Sequence, residues 1–153
     1  MGQRNILKGG RMTRNRFFTI RGACPQDMPL CAQIWWAEKK RFLWEDPQEI
    51  HDFYRQTEGE IIVVAEQKRT VVGFMSVYAP DSFVHHLFVA QEYSRLGIGS
   101  ALLSHAMERF PKPITLKCVI WNQLACVFYQ RHGWKKTATC AHENPPYHVF
   151  SWS

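Results

Sequence analysis

Between residues 61 and 90 the chain alternates apolar runs with short polar breaks. IIVVAE (61–66) and VVGFMSVY (71–78) flank the polar turn QKRT, which predicts a β-hairpin. APDS (79–82) then turns the chain into a third strand over 83–90. Upstream the spacing is different. Met28, Cys31, Ile34, Trp35 and Phe42 recur at helical intervals, predicting an amphipathic helix over 28–43. Asp27 stands where an N-cap belongs, and Pro29 is tolerated in a first turn. WEDP (44–47) interrupts that helix. Ile50, Phe53 and Tyr54 mark a shorter second helix, which ends by Glu58-Gly59. FFTIR (17–21) reads as a short first strand.

Downstream, Ile98, Ala101, Leu102, Ala106 and Phe110 share one helical face, and Pro111-Lys112-Pro113 stops the helix. ITLKCVI (114–120) is a strand. Residues 123–131 form a helix with Asn122 as its N-cap and His132-Gly133 closing it. Strands over 134–141 and 147–152 flank an Asn-Pro-Pro turn. The order is β-α-α-β-β-β-α-β-α-β-β. It predicts an α/β (mixed α+β) domain: a central, mainly antiparallel mixed sheet of about seven strands with four helices on its faces.

The chain has 153 residues, enough for one domain with a real core. No apolar run approaches the length of a membrane span, so no membrane is expected. The formal charge is +6, but it is uneven. Residues 1–21 hold Arg4, Lys8, Arg11, Arg14, Arg16 and Arg21 and no acid, and the remaining 13 basic residues balance 13 acids. Residues 1–13 therefore read as a flexible basic arm, with Met12 an alternative start, and 14–153 as the domain. Nucleic acid is disfavoured as a partner of the neutral body. Cys24, Cys31, Cys118, Cys126 and Cys140 are odd in number and contain no C-x-x-C, so no disulfide framework is expected, and a cytoplasmic setting is.

Gly97-Ile98-Gly99 lies between the third strand of the meander and a helix. Glycines there let the backbone approach an anion, and the helix directs free N–H groups at the turn. A tight connection made only for packing gives the same pattern. A Rossmann fingerprint is excluded, because Ser100–Leu103 supplies no third glycine.

HHLFV (85–89), QEYSRLGIGSALL (91–103) and, after a strand, WNQLACVFYQRHGW (121–134) together resemble the GNAT superfamily of acyl-CoA N-acyltransferases, in particular small bacterial-type N-acetyltransferases. Asn122, Tyr129, Gly133 and Trp134 match the second half of that pattern. In the first half the Gln/Arg slot is Ser94, with Arg95 beside it. The resemblance implies acetyl-CoA as co-substrate. It implies backbone pairing of Leu87, Phe88 and Val89 with the pantetheine arm, in a gap where this strand splays from the next. It implies a pyrophosphate site over Ser94, Arg95, Leu96, Gly97, Ile98, Gly99 and Ser100, and a cofactor contact or N-cap role for Asn122.

Tyr129 is the candidate general acid for the leaving thiolate. His85 is the candidate base, with water as the alternative. Alternation along a strand sets His85 on the face of Leu87 and Val89, opposite His86, so the two histidines are not expected to form a metal pair. His51, His105, His132, His142 and His148 show no ligand spacing, and no metal is expected. Trp35, Trp36, Trp44, Glu45, Asp46, Tyr78, Glu143 and Tyr147 offer an aromatic and acidic acceptor region, or else core and solvated surface. The expected partners are acetyl-CoA and an amine acceptor, with a homodimer left open. The expected activity is N-acetyl transfer to a primary amine by direct attack in a ternary complex. A catalytically silent acyl-CoA-binding module and a toxin-like acetyltransferase of aminoacyl-tRNA are the alternatives.

Overall fold

The computed structural model describes residues 17–42 and 48–153. Its order is β1 (Thr19–Gly22), α1 (Met28–Arg41), α2 (Asp52–Gln56), β2 (Ile61–Gln67), β3 (Thr70–Tyr78), β4 (Phe83–Val89), α3 (Ile98–Arg109), β5 (Ile114–Val119), α4 (Gln123–Arg131), β6 (Lys135–Cys140) and β7 (Tyr147–Trp152). The seven strands form one sheet in the order β1-β2-β3-β4-β5-β7-β6. All neighbours are antiparallel except β4 and β5. The expected α/β architecture is therefore present. The expectations for the 1–13 arm and for the 44–47 break fall outside the described residues.

The apolar runs sort onto two faces. In β3, Val71 and Phe74 join α1 and α2 in one core with Cys31, Ala32, Trp35 and Phe53. Val72, Met75 and Val77 join α3 in the other, with Ile98, Leu102, Leu103, Ala106 and Phe150. A strand buried on both faces carries no polar alternation, which is why VVGFMSVY reads as a continuous apolar run. Trp35 is completely buried in the first core, so it is packing and not acceptor surface.

One local expectation is corrected. Asp27 does not cap α1 through its side chain. Its carboxylate instead accepts Cys24 N–H (2.8 Å) and the Arg21 guanidinium (2.7 and 3.0 Å), and Arg21 also donates to Glu66 on β2 (2.9 Å). A charge-assisted fork to arginine outweighs one neutral cap bond. The Arg21 hydrogen bond, joined by Cys24, holds the Asp27 carboxyl down at about 2.

The sheet divides at its centre. β4 and β5 pair only at Phe83–Thr115 and Val84–Leu116. Beyond Val84 the two strands part. On the other side of β4 the antiparallel register with β3 shifts, from Ser76 opposite His86 to Val77 opposite Val84, which leaves His85 as the extra residue of a β-bulge.

Candidate active site

The gap between β4 and β5 opens a cleft of about 370 Å³. β4 lines it through His85–Val89, β5 through Lys117–Val119, α4 and its N-cap through Asn122, Ala125 and Tyr129, and α1 and its C-cap through Glu38 and Phe42. Six of the residues singled out in the sequence thus share one cavity: His85, Leu87, Phe88, Val89, Asn122 and Tyr129.

The bulge overturns the expectation that His85 and His86 face opposite ways. Their rings stack, with centroids 3.9 Å apart and planes at 28°. His86 is buried against Trp35 and Phe74 on the α1 side, whereas Leu87 and Val89 pack on the α3 side. His85 is therefore not on the face of Leu87 and Val89, because the extra residue breaks the two-residue alternation. Desolvation holds His86 well below the ordinary imidazole range, so it is neutral. Its Nδ1 bonds Ser76 Oγ at 2.9 Å.

His85 has a partner that the sequence did not suggest. Its Nδ1 lies 2.7 Å from Glu60 Oε2. Glu60 immediately precedes β2, and its side chain is only 7% exposed, against 32% for His85. A carboxylate at Nδ1 fixes the tautomer with Nδ1–H donating and leaves Nε2 with a lone pair. Glu60 is 25 positions away in sequence, so only the β2-β3-β4 meander brings it here. Its short-range context, a Glu at the end of a Gly-containing turn, marks nothing.

Tyr129 sits on the opposite wall, half-buried, with its ring near Phe128, Trp134 and Phe150. Burial, with smaller contributions from Cys118 and Cys126, pushes its phenol well above the ordinary value. It is protonated at neutral pH and can donate. Those two thiols lie 3.5 Å apart beside it, and burial likewise raises Cys118. A buried, protonated thiol is a poor nucleophile, so Cys118 is a small packing residue. Asn122 is the N-cap of α4, with Oδ1 accepting Ala125 N–H at 3.2 Å.

The glycine turn lies outside the cleft, at the C-terminal end of β4. Gly97 caps α3 with φ +86°, and Arg95 also has positive φ, at +63°. The first α-helical bond runs from Ala101 N to Gly97 O, so the N–H groups of Ile98, Gly99 and Ser100 precede any intrahelical acceptor. Ile98 contributes backbone only, since its side chain is core. Ser94, Arg95 and Leu96 are exposed. Ser100 is anchored from α4: His132 Nε2 meets Ser100 Oγ at 3.0 Å while His132 Nδ1 donates to Phe128 O at 2.8 Å. This strap ties the turn to the helix that carries Tyr129.

Comparison with known proteins agrees with this geometry. Residues 29–134 match the model of the acetyltransferase (GNAT) family. Among solved structures, a GNAT-family acetyltransferase from Bacillus cereus superposes with a TM-score of 0.73 at 15% identity, over 89% of this chain and 96% of that one. The yncA protein from Salmonella typhimurium, solved with its cofactor acetyl-CoA, gives 0.71 at 15% identity over 90% and 94%. Arabidopsis thaliana Naa50, in complex with a bisubstrate analogue of CoA and a peptide, gives 0.67 at 19% identity over 90% and 99%. Among the described residues no helix is long and apolar enough to cross a membrane. With the split sheet, the glycine turn and a family match over most of its length, the chain belongs to the GNAT family and is an acetyltransferase.

Proposed function

We propose that the protein transfers an acetyl group from acetyl-CoA to a primary amine, by direct attack in a ternary complex. The observation that carries this reading is the parting of β4 from β5 beyond Val84, which leaves strand backbone unpaired between a histidine–carboxylate pair and a protonated tyrosine. Acetyl-CoA, as co-substrate, supplies an activated thioester. The residues present fit it. The β4 edge at Leu87, Phe88 and Val89 offers main-chain groups to an extended arm, as a missing strand would. The turn over Ser94, Arg95, Leu96, Gly97, Ile98, Gly99 and Ser100 offers a positive helix end and free N–H groups to a diphosphate. Asn122 caps α4 and borders the arm.

His85 Nε2 takes the proton that the amine gives up as its nitrogen bonds to the acetyl carbon, and Glu60 stabilises the imidazolium formed. Tyr129 donates a proton to the sulfur as the carbon–sulfur bond breaks. Acceptors reach the cleft past Glu38, Phe42 and Gln56.

Titration with CoA in a calorimeter, paired with thiol release over amines, polyamines, peptides and aminoacyl-tRNA, tests the reading. Binding together with turnover of an amine supports it. Binding without turnover of any acceptor points to a silent module, and turnover only of aminoacyl-tRNA to the toxin-like alternative. No CoA binding by folded protein at millimolar concentration ends the proposal.

A further inference from the structure

The bulge at His85 gathers a second kind of chemistry in the same wall. Glu60, His85 and His86 each present a ligating atom within 4.8 Å of the other two. Glu60 Oε1 is fully buried and without a hydrogen-bond partner among the described residues, although Oε2 of the same carboxylate is bonded. A buried carboxylate oxygen left unpaired is costly and is the group that a cation satisfies. Two imidazoles and a carboxylate are also the donor set that holds zinc with one position left open. We propose that Glu60, His85 and His86 form a site for a divalent transition-metal ion of the zinc type, and that filling it inhibits acetyl transfer.

Zinc bonds of about 2.1 Å in a tetrahedron place ligand atoms about 3.4 Å apart. The widest ligand separation therefore closes by at most about 1.4 Å on binding, while His85 Nδ1 and Glu60 Oε2, 2.7 Å apart, open by about 0.7 Å. The member with room to adjust is His85, whose side chain is one-third exposed. His86 is held by Ser76 and by the edge of Trp35. Ser76 can take the partner role that a metal-bound histidine needs: with His86 Nδ1–H donating to Ser76 Oγ, the other ring nitrogen is left as ligand. At His85 the cation takes the place of the Nδ1 proton and is shared with the Glu60 carboxylate, whose unpaired Oε1 it also satisfies. That ring proton moves to Nε2, so His85 loses the lone pair that accepts a proton in catalysis. No oxidant or further reactant is involved. The inhibitory half of the proposal rests on the proposed role of His85, whereas the binding half does not.

Tag-free protein is titrated with zinc chloride in a calorimeter, and with cobalt chloride in a spectrophotometer. One ion per chain is expected, with micromolar affinity and a visible cobalt spectrum of nitrogen and oxygen ligands. His85→Gln, at a part-exposed position, is expected to fold and to bind at least tenfold more weakly, and Glu60→Gln to do the same. Cys118→Ala/Cys126→Ala removes the thiol pair of the same cleft region and is expected to leave binding unchanged. Thiol-release assays should show inhibition over the zinc range in which binding is seen. A cobalt spectrum with thiolate character, binding that survives His85→Gln, or no stoichiometric binding overturns the site. Binding without inhibition leaves the metal site standing and removes His85 as the base.

Discussion

Three glycines differ in what surrounds them, and substituting each with alanine tests whether packing behind β4 shapes the cofactor wall. A Cβ built on Gly73 would lie 3.1 Å from the carbonyl oxygen of Phe88, 3.1 Å from Ile98 Cγ2 and 3.4 Å from Val89 Cα. Two of these neighbours are backbone of β4, which is paired to β3 at this point and cannot yield cheaply. The third is the first residue of α3. Overpacking of this kind costs about 1–3 kcal/mol. For a chain of this size, each kcal/mol moves the melting temperature by about 2–4 °C. Gly73→Ala should therefore melt roughly 2–12 °C lower than wild type. It should also bind CoA more weakly, because the strain falls on Phe88, Val89 and Ile98. Gly22 meets nothing within 4 Å and has no positive φ, so Gly22→Ala should be neutral or stabilising by about 0.4–1 kcal/mol. Gly97→Ala meets open space but must hold φ +86°, at a cost of about 1–2 kcal/mol. Differential scanning fluorimetry and CoA calorimetry on the three variants give the comparison. If Gly73→Ala melts and binds like wild type while Gly22→Ala does too, the argument from contact distances fails.

Tyr129→Phe should lower kcat by about 10²–10⁴-fold with little change in CoA affinity; steady-state thiol release and calorimetry read the two separately, and an unchanged kcat removes the acid role. Asn122→Ala should cost about 1 kcal/mol through the lost cap of α4, whereas Asn122→Ser restores most of the stability; CoA affinity that falls in both variants alike assigns Asn122 a cofactor contact as well. Asp27 titrates at about 2 when folded against 3.8 unperturbed, so its contribution is complete above pH 4 and is lost as the pH falls towards 2. Because Arg21 is one-third exposed, the screened contribution is about 1 kcal/mol, and Arg21→Met should flatten the acid limb of a stability–pH curve measured by urea unfolding.

Much of the architecture was legible because its causes are local. Hydrophobic spacing marked the seven strands and four helices, and turn chemistry placed the Asn122 cap and the glycine turns at Gly97 and Gly133. Each of these depends on residues within one turn or strand of the feature. Asp27 shows the limit even at short range: its position suits a cap, but Arg21 and Glu66, brought together by the pairing of β1 with β2, set where its carboxylate goes.

By itself the sequence determined which segments are strand or helix, and which of them carry Gly-x-Gly, Asn122 and Tyr129. It could not determine which way His85 points, because that depends on one residue of register between β3 and β4. Nor could it show Glu60 beside His85, since that meeting needs two hairpin turns to fold 25 residues of chain back on itself. Side-chain direction in a strand follows from pairing, and pairing is a property of the whole sheet.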